Sequence, residues 1–155
     1  TAGFDTFCWT RDGRGFIATR GDQLVRIDAD TGQSSVIARN LGIVRFPESS
    51  PDGKTLAASV APGGDSGRTW AIWLFPLASD GAPRELVAPG YDPTWSADSQ
   101  RLIYEWSVEV SRDGFRVPIR ALFEIDIATR VVTRVMPEET SGIGAFSPQT
   151  SRDGR

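Results

Sequence analysis

The stretch Ser50-Pro51-Asp52-Gly53, followed by Thr55-Leu56-Ala57-Ala58, decides the fold of this chain. An Asp side chain accepts hydrogen bonds from nearby backbone amides, and the Gly after it tolerates positive φ, so the first four residues predict a tight turn. The Pro fixes φ near the start of that turn. The apolar residues that follow predict a strand. The stretch is therefore typical of a turn between two antiparallel strands.

The same pattern returns along the chain: Ser or Thr, any residue, Asp, then Gly or Ser, with an apolar strand soon afterwards. The copies are Trp9-Thr10-Arg11-Asp12-Gly13, Ser49-Ser50-Pro51-Asp52-Gly53, Trp95-Ser96-Ala97-Asp98-Ser99 and a partial copy that begins at Phe146-Ser147-Pro148. Counted on the Ser or Thr, the steps are 40, 46 and 51 residues, the size of a propeller blade. We interpret the recurring aromatic residues Trp9, Trp95 and Phe146 as core residues that pack between blades.

Strands also dominate the sequence between the copies. Phe123 and Ile125 alternate with Leu122 and Glu124, a period of two that no helix would produce. Similar corners begin at Asp28 and at Asp126, and each is followed by a short apolar strand, which predicts a hairpin. Each repeat therefore holds about four strands, as one blade of a β-propeller does.

These residues resemble a known family. The segments Ser50–Ala57 and Trp95–Asp98, with the Ile-Asp-x-x-Thr type of corner, are similar to the WD-like repeats of TolB-like β-propellers. The fold expected is all-β: a partial β-propeller whose four-stranded antiparallel blades cover about residues 1–42, 43–88 and 89–139, with the start of a fourth at 140–155. Its structural turn residues are Asp12, Gly13, Asp28, Asp52, Gly53, Asp98 and Asp126.

The composition excludes several chemistries. The 155 residues include no His and one Cys, Cys8, so the chain alone forms no Ser-His-Asp or Cys-His catalytic set, internal disulfide or multi-thiolate cluster. The net charge is −3, with acidic and basic residues interspersed, which argues against nucleic acid as a partner. No apolar run approaches the length of a spanning helix, so we expect no direct membrane insertion by this segment.

Three short strings match functional motifs, but their context favours structural roles. Gly64-Asp65-Ser66-Gly67 matches the nucleophile segment of chymotrypsin-type proteases, yet no His can partner the Ser, and the surroundings favour a loop. Gly13-Arg14-Gly15 with Ala18 fits a loose dinucleotide fingerprint, but a strand is expected to follow it. Asp28-Ala29-Asp30 begins like a calcium loop, but Arg39 stands at the twelfth position, so calcium is the weaker alternative. We therefore expect no catalytic residue, cofactor or metal site.

The third repeat departs most from a minimal blade. Residues 107–120 predict an elongated hairpin that protrudes beyond the blade, with Asp113-Gly114 at its tip. The candidate partner-binding residues are Arg112, Phe115, Arg116 and Arg120, because Arg side chains around an aromatic ring can recognise the carboxylates of a partner. The alternative is a solvated hairpin whose charges keep its edges from aggregating.

The resemblance implies two main functions, in both of which this segment is catalytically inert. The first is a TolB-like scaffold, periplasmic or secreted, whose loops and central opening bind a protein or peptide. The second is the substrate-gating propeller of a prolyl oligopeptidase-type serine peptidase, whose catalytic domain lies outside this chain and carries a Gly-x-Ser-x-Gly elbow. A third is the extracytoplasmic sensor of a membrane-bound regulator. We expect further blades from the same polypeptide, since the terminal blades otherwise expose apolar faces.

Overall fold

The structure, a computed structural model, describes residues 4–64, 69–78, 81–112, 114–135 and 147–151, without the side chain of Arg112. Within these residues the regular secondary structure consists of β-strands alone. Twelve strands form three four-stranded antiparallel sheets. The predicted all-β partial propeller is thus confirmed. No helix in the described part of the chain is long and apolar enough to cross a membrane.

Each sheet follows the order of the chain and forms one blade. Blade 1 contains β1 (Phe7–Trp9), β2 (Gly15–Arg20), β3 (Gln23–Asp28) and β4 (Ser34–Ala38). Blade 2 contains β5 (Ile43–Ser49), β6 (Thr55–Ala61), β7 (Ala71–Pro76) and β8 (Arg84–Val87). Blade 3 contains β9 (Tyr91–Trp95), β10 (Arg101–Arg112), β11 (Phe115–Asp126) and β12 (Val132–Arg134). Because Gly15 opens the strand β2, the glycine string near it does not open a dinucleotide-binding helix.

The repeated turn joins the first and second strands of each blade. In blade 2, the buried Ser50 hydroxyl donates to Asp52 at 2.6 Å and accepts the backbone N–H of Thr55 at 3.0 Å. Asp52 also accepts the N–H of Lys54 at 3.0 Å. These hydrogen bonds hold the pKa of Asp52 below its ordinary value. The equivalent hydroxyl–carboxylate pairs, also at 2.6 Å, are Thr10 with Asp12 and Ser96 with Asp98.

The corners between the third and fourth strands are also held by carboxylates. Asp28 accepts the backbone N–H and the hydroxyl of Thr31, both at 2.8 Å. Asp126 accepts the same two groups of Thr129, at 2.7 and 2.9 Å. These hydrogen bonds explain the corner that resembles a calcium loop. Among the described residues no group of three His, Cys, Asp or Glu side chains could hold a metal ion.

The apolar core lies between neighbouring blades. One cluster joins blades 1 and 2, with Ile17, Leu24, Leu56 and Phe75 among its buried members. A second joins blades 2 and 3, with Ala57, Ile72, Trp95 and Leu102 among its members. Each blade therefore depends on its neighbour to remove apolar surface from water, which is the main stabilising contribution in such a fold.

The sequence interpretation of the aromatic residues before the turns is correct for Trp95 and wrong for Trp9. Trp95 is 3% exposed and Trp9 is 56% exposed. Trp95 reaches the Glu48 carbonyl of the preceding blade through its Nε1, whereas in the described part of the chain no sheet lies before blade 1. Trp9 packs against Phe16 of its own blade, with ring centroids 4.0 Å apart and ring planes at 44°, and more than half of its surface remains exposed. Phe146 lies outside the described residues.

This pair of Trp residues provides a matched test of packing between blades. We expect Trp95→Phe to lower the free energy of unfolding by about 2–3 kcal/mol, because it opens a cavity and removes the hydrogen bond from Nε1 to the Glu48 carbonyl. Trp9→Phe should cost less than about 0.5 kcal/mol, as is usual for an exposed site. Urea unfolding followed by far-UV circular dichroism measures both values. Equal losses of unfolding free energy in the two variants would contradict the burial of Trp95 between blades.

Candidate functional site

The predicted elongated hairpin is present in blade 3. Strands β10 and β11 pair without interruption from Arg101 with Asp126 to Arg112 with Phe115. Glu105 is already level with Tyr91, the first residue of β9. The outer half of the hairpin therefore extends beyond the rim at which the inner strands begin. Gly114 lies in the turn at its tip, and the predicted tip residue Asp113 lies outside the described residues.

The four candidate partner-binding residues do not form one cluster. Phe115 is 76% exposed and lies on one face of the hairpin, and Arg116 and Arg120 lie on the other, as a period of two requires. Arg116 pairs with exposed Glu109 at 3.1 Å. Arg120 pairs with Glu105, which is buried. The backbone of Arg112 pairs with that of Phe115, and its side chain is not described.

A cavity lies where the inner strands β1, β5 and β9 begin. It has a volume of about 620 Å³ and is lined by residues 5–7, 46–48, 92–94 and 147–150. We call it the central cavity. Each inner strand, with the residues just before it, contributes one carboxylate to the lining: Asp5, Glu48 and Asp92. Sequence analysis did not single out these three residues.

Two inner strands have a β-bulge that shapes this cavity. Phe46 and Asp92 have φ angles of 49° and 50° and each precedes a proline. Their pairing with the second strand shifts register at these positions. The N–H of Phe46 donates to the Thr6 hydroxyl at 3.1 Å, and that of Asp92 to the Ser59 hydroxyl at 2.9 Å. Each bulge is thus bonded to the preceding blade.

The same feature corrects the position of the fourth repeat. Ser147 has a φ of 48° and precedes Pro148, so it corresponds to Phe46 and Asp92 rather than to the Ser of the turn. The fourth turn motif then begins four residues later than predicted, with Ser151 in place of Ser147. Thr150, not Phe146, corresponds to Trp95, and its hydroxyl donates to the Trp95 carbonyl at 2.6 Å.

One sequence signal could have found both the bulges and the cavity beside them. The prolines at positions 47, 93 and 148 each stand three residues before the Ser that opens a turn motif, at positions 50, 96 and 151. A proline within a strand marks a bulge or an edge, because it cannot donate to the ladder of hydrogen bonds. The recurrence of this spacing therefore indicates an irregular inner strand in each repeat that carries it.

Glu48 is the carboxylate of the central cavity with the largest change in acidity. Burial raises its pKa to about 7, although the Thr94 hydroxyl donates to Oε1 at 3.1 Å and opposes the effect. The nearby charge of Asp92 adds to the increase. Burial also raises the pKa of Asp92, against hydrogen bonding by Ser147 and the charge of Arg120. Asp5 pairs with Arg45 at 2.6 Å.

The central cavity can accept hydrogen bonds and positive charge from a bound molecule, whereas the nearby thiol offers no nucleophile. Cys8 holds the one thiol of the chain and lies against Ser49, with Sγ and Oγ 3.6 Å apart. Burial raises the pKa of this thiol, so it is not activated. In the protease-like string, Asp65 to Gly67 lie outside the described residues.

The pKa of Glu48 predicts how stability depends on pH. The folded state binds this proton more tightly than the unfolded state, so its contribution is complete below about pH 4.5 and is lost as the pH rises through about 7. Between pH 5 and pH 8 we expect the wild type to lose about 1–3 kcal/mol relative to Glu48→Gln. Urea unfolding at both pH values measures the difference. Glu109 is an exposed carboxylate outside the cavity, so Glu109→Gln should lose as much unfolding free energy between pH 5 and pH 8 as the wild type does. If Glu48→Gln shows the same loss as the wild type, Glu48 is not the group responsible.

Comparison with known proteins places this geometry among β-propellers. No protein-family model matches the sequence, and no curated protein matches it. A solved structure assigned as TolB from Agrobacterium tumefaciens is 25% identical, with a TM-score of 0.72, over 99% of this chain and 52% of its own. TolB from Acinetobacter baumannii is 20% identical, with a TM-score of 0.60, over 96% of this chain and 33% of its own.

A peptidase shows the same fold at lower similarity. The acylaminoacyl peptidase of Pyrococcus horikoshii is 15% identical, with a TM-score of 0.56, over 80% of this chain and 24% of its own. The chain thus spans about half the length of the first of these proteins and a smaller share of the others. Three blades joined by inter-blade cores, with these likenesses, identify the structure as a partial TolB-like β-propeller.

Proposed function

We propose that this propeller segment is a non-catalytic scaffold that binds a protein or peptide across its central cavity and the adjoining rim. The observation that carries the proposal is the central cavity itself, which is open to solvent and lined by a carboxylate from each of the three blades. Such a lining favours partners that present basic or hydrogen-bond-donating groups. The paired blades hold the cavity in shape, so binding loses little conformational freedom of the scaffold.

The hairpin of blade 3 extends this surface. It projects from the same rim and presents Phe115 on one face and the Arg116–Glu109 pair on the other. Exposed aromatic and Arg side chains are common anchors at protein interfaces. We therefore include Phe115, Arg116 and the neighbouring Arg112 and Arg120 in the proposed surface.

The proposed setting follows from the TolB-like fold. We propose a periplasmic or secreted protein, with further blades of the same polypeptide covering the open face at Trp9. That face is apolar and includes Phe7, which is 64% exposed. Blades 2 and 3 cover their equivalent faces with a neighbouring sheet, which supports a blade as the missing cover.

Peptide selection tests the scaffold function. Immobilised protein is used to select from a random peptide library, and the affinity of the enriched peptides is measured by fluorescence anisotropy. We expect Glu48→Gln with Asp92→Asn to weaken binding by about tenfold or more, which corresponds to about 1.4 kcal/mol. Asp30→Asn, in the turn on the opposite rim, is the matched control and should change affinity less than about twofold.

Two results would count against this function. One is a library that yields no peptide with measurable affinity for the folded protein. The other is an equal response to the cavity variant and to Asp30→Asn. Replacement of residues 112–116 by a two-residue Asn-Gly turn measures how much the hairpin contributes to peptide affinity. If the affinity is unchanged, the hairpin is not part of the binding surface and the central cavity alone remains.

The alternative function is the gating propeller of a serine peptidase, favoured by the likeness to acylaminoacyl peptidase. It predicts a Gly-x-Ser-x-Gly elbow, an Asp and a His, in that order, elsewhere in the same polypeptide. It also predicts that the full-length protein reacts with a fluorophosphonate probe that labels active serines. A complete polypeptide with more blades, no such elbow and no labelling would refute gating and leave the scaffold.

A further inference from the structure

A second cavity, of about 310 Å³, lies between blades 2 and 3 at the base of the hairpin. Three aromatic residues contribute to its lining: Trp70, Tyr91 and Trp106. The rings of Trp70 and Tyr91 meet edge to face, with centroids 4.9 Å apart and planes at 67°. Glu105 and Arg120 complete the lining with Ser107. We call this cavity the rim pocket.

Glu105, one of the residues that line this pocket, has one carboxylate oxygen without a hydrogen-bond partner among the described residues. The residue is 2% exposed, and Oε1 pairs with the guanidinium of Arg120. Its other oxygen, Oε2, is buried and has no hydrogen-bond partner in the described part of the chain. Burial raises the pKa of Glu105 above its ordinary value and the charge of Asp92 adds to the increase, whereas Arg120 and the Ser147 amide oppose it. A buried carboxylate oxygen in this state is costly unless a donor reaches it.

The pocket already accommodates one cation. The guanidinium carbon of Arg120 lies 6.0 Å from the centre of the Tyr91 ring, on its face, a geometry in which an aromatic ring attracts positive charge. The charge of Asp92 acts on Glu105, and the charge of Arg120 acts on both carboxylates. When both carboxylates are ionised, Glu105, Asp92 and Arg120 together carry a net charge of about −1. This negative charge lies next to aromatic residues, which also favour a cation.

We propose that the rim pocket binds one arginine or lysine side chain of the peptide partner. The cationic group donates to Glu105 Oε2, and the aliphatic part of the side chain lies against the indoles of Trp70 and Trp106. Arg120 stays on Oε1, so the two cations share one carboxylate. The inference rests on the proposed scaffold function and gives it a specificity: a basic residue at one position of the bound peptide.

A small probe tests the pocket without any peptide. Nα-acetyl-arginine amide is titrated into the protein, and the indole N–H signals of the five Trp residues are followed by NMR. We expect saturable shifts for Trp70 and Trp106 and none for Trp9, which is on the open face of blade 1. Nα-acetyl-citrulline amide has nearly the same shape without charge and should bind at least about tenfold more weakly. Equal binding of the two probes, or shifts confined to other Trp residues, would overturn the proposal.

Matched variants locate the charge. Glu105→Gln should weaken binding of the arginine probe by about tenfold or more, whereas Glu85→Gln, at an exposed position of β8 outside both cavities, should leave it unchanged. Trp106→Leu keeps Glu105 and should weaken the probe about threefold to tenfold, which provides a second reading if Glu105→Gln does not fold. An unchanged affinity in the folded Glu105→Gln protein, or in Trp106→Leu, would refute the site.

The peptide experiment separates this inference from the function on which it rests. If selected peptides share an Arg or Lys whose replacement by citrulline or norleucine weakens binding only when Glu105 is present, both stand. If peptides bind with no such residue, the scaffold function stands and the rim pocket is refuted as their specificity site. If no peptide binds, the scaffold function fails. The titration with the arginine probe then shows by itself whether the rim pocket binds a cationic side chain.

Discussion

The burial of Trp95 between two blades connects the core of this protein to its candidate site. Its ring fills the cluster between blades 2 and 3, and its Nε1 donates to the backbone carbonyl of Glu48 at 3.0 Å. The side chain of that same Glu48 lines the central cavity. The contact that removes this large aromatic ring from water therefore also sets the position of an inner-strand carboxylate. A blade cannot shift relative to its neighbour without moving the lining of the cavity.

A second set of contacts explains why polar residues are buried in the middle strands. Thr19, Ser59 and Glu105 occupy equivalent positions in the three blades and are almost fully buried. The first two accept a backbone N–H from the start of an inner strand, that of Thr6 and that of Asp92 respectively, and Glu105 faces the amide of Ser147. Blade 3 thus uses a carboxylate where the other blades use a hydroxyl. The carboxylate brings a buried charge, which accounts for its ion pair with an arginine and for the distinct chemistry of the rim pocket.

The turn and corner chemistry could be predicted from sequence because each depends on neighbours in the chain. Ser50 and Asp52 are two residues apart, and Asp28 and Thr31 are three apart. The exposure of Trp9 could not be predicted in this way, because it depends on which sheet lies beside blade 1. The register of the fourth repeat was also missed, since its spacing changes within a segment where Phe146-Ser147-Pro148 imitates the turn motif. The acidity of Glu48 depends on burial and on Thr94 and Asp92 of the next blade, which no local pattern records.

Stability does not account for the length of the blade 3 hairpin. Its outer half lies beyond the inner strand and packs on little, with Phe115 76% and Val117 37% exposed. The Arg116–Glu109 pair is exposed on both sides, and such pairs contribute at most about 1 kcal/mol. Ordering each of these residues costs about 1–2 kcal/mol of backbone entropy. The inner half differs, because there Arg120 and Trp106 line a pocket with a buried carboxylate. A segment that adds so little to folding, yet places a charged pocket at its base beside the central cavity, has the arrangement that the proposed binding function requires.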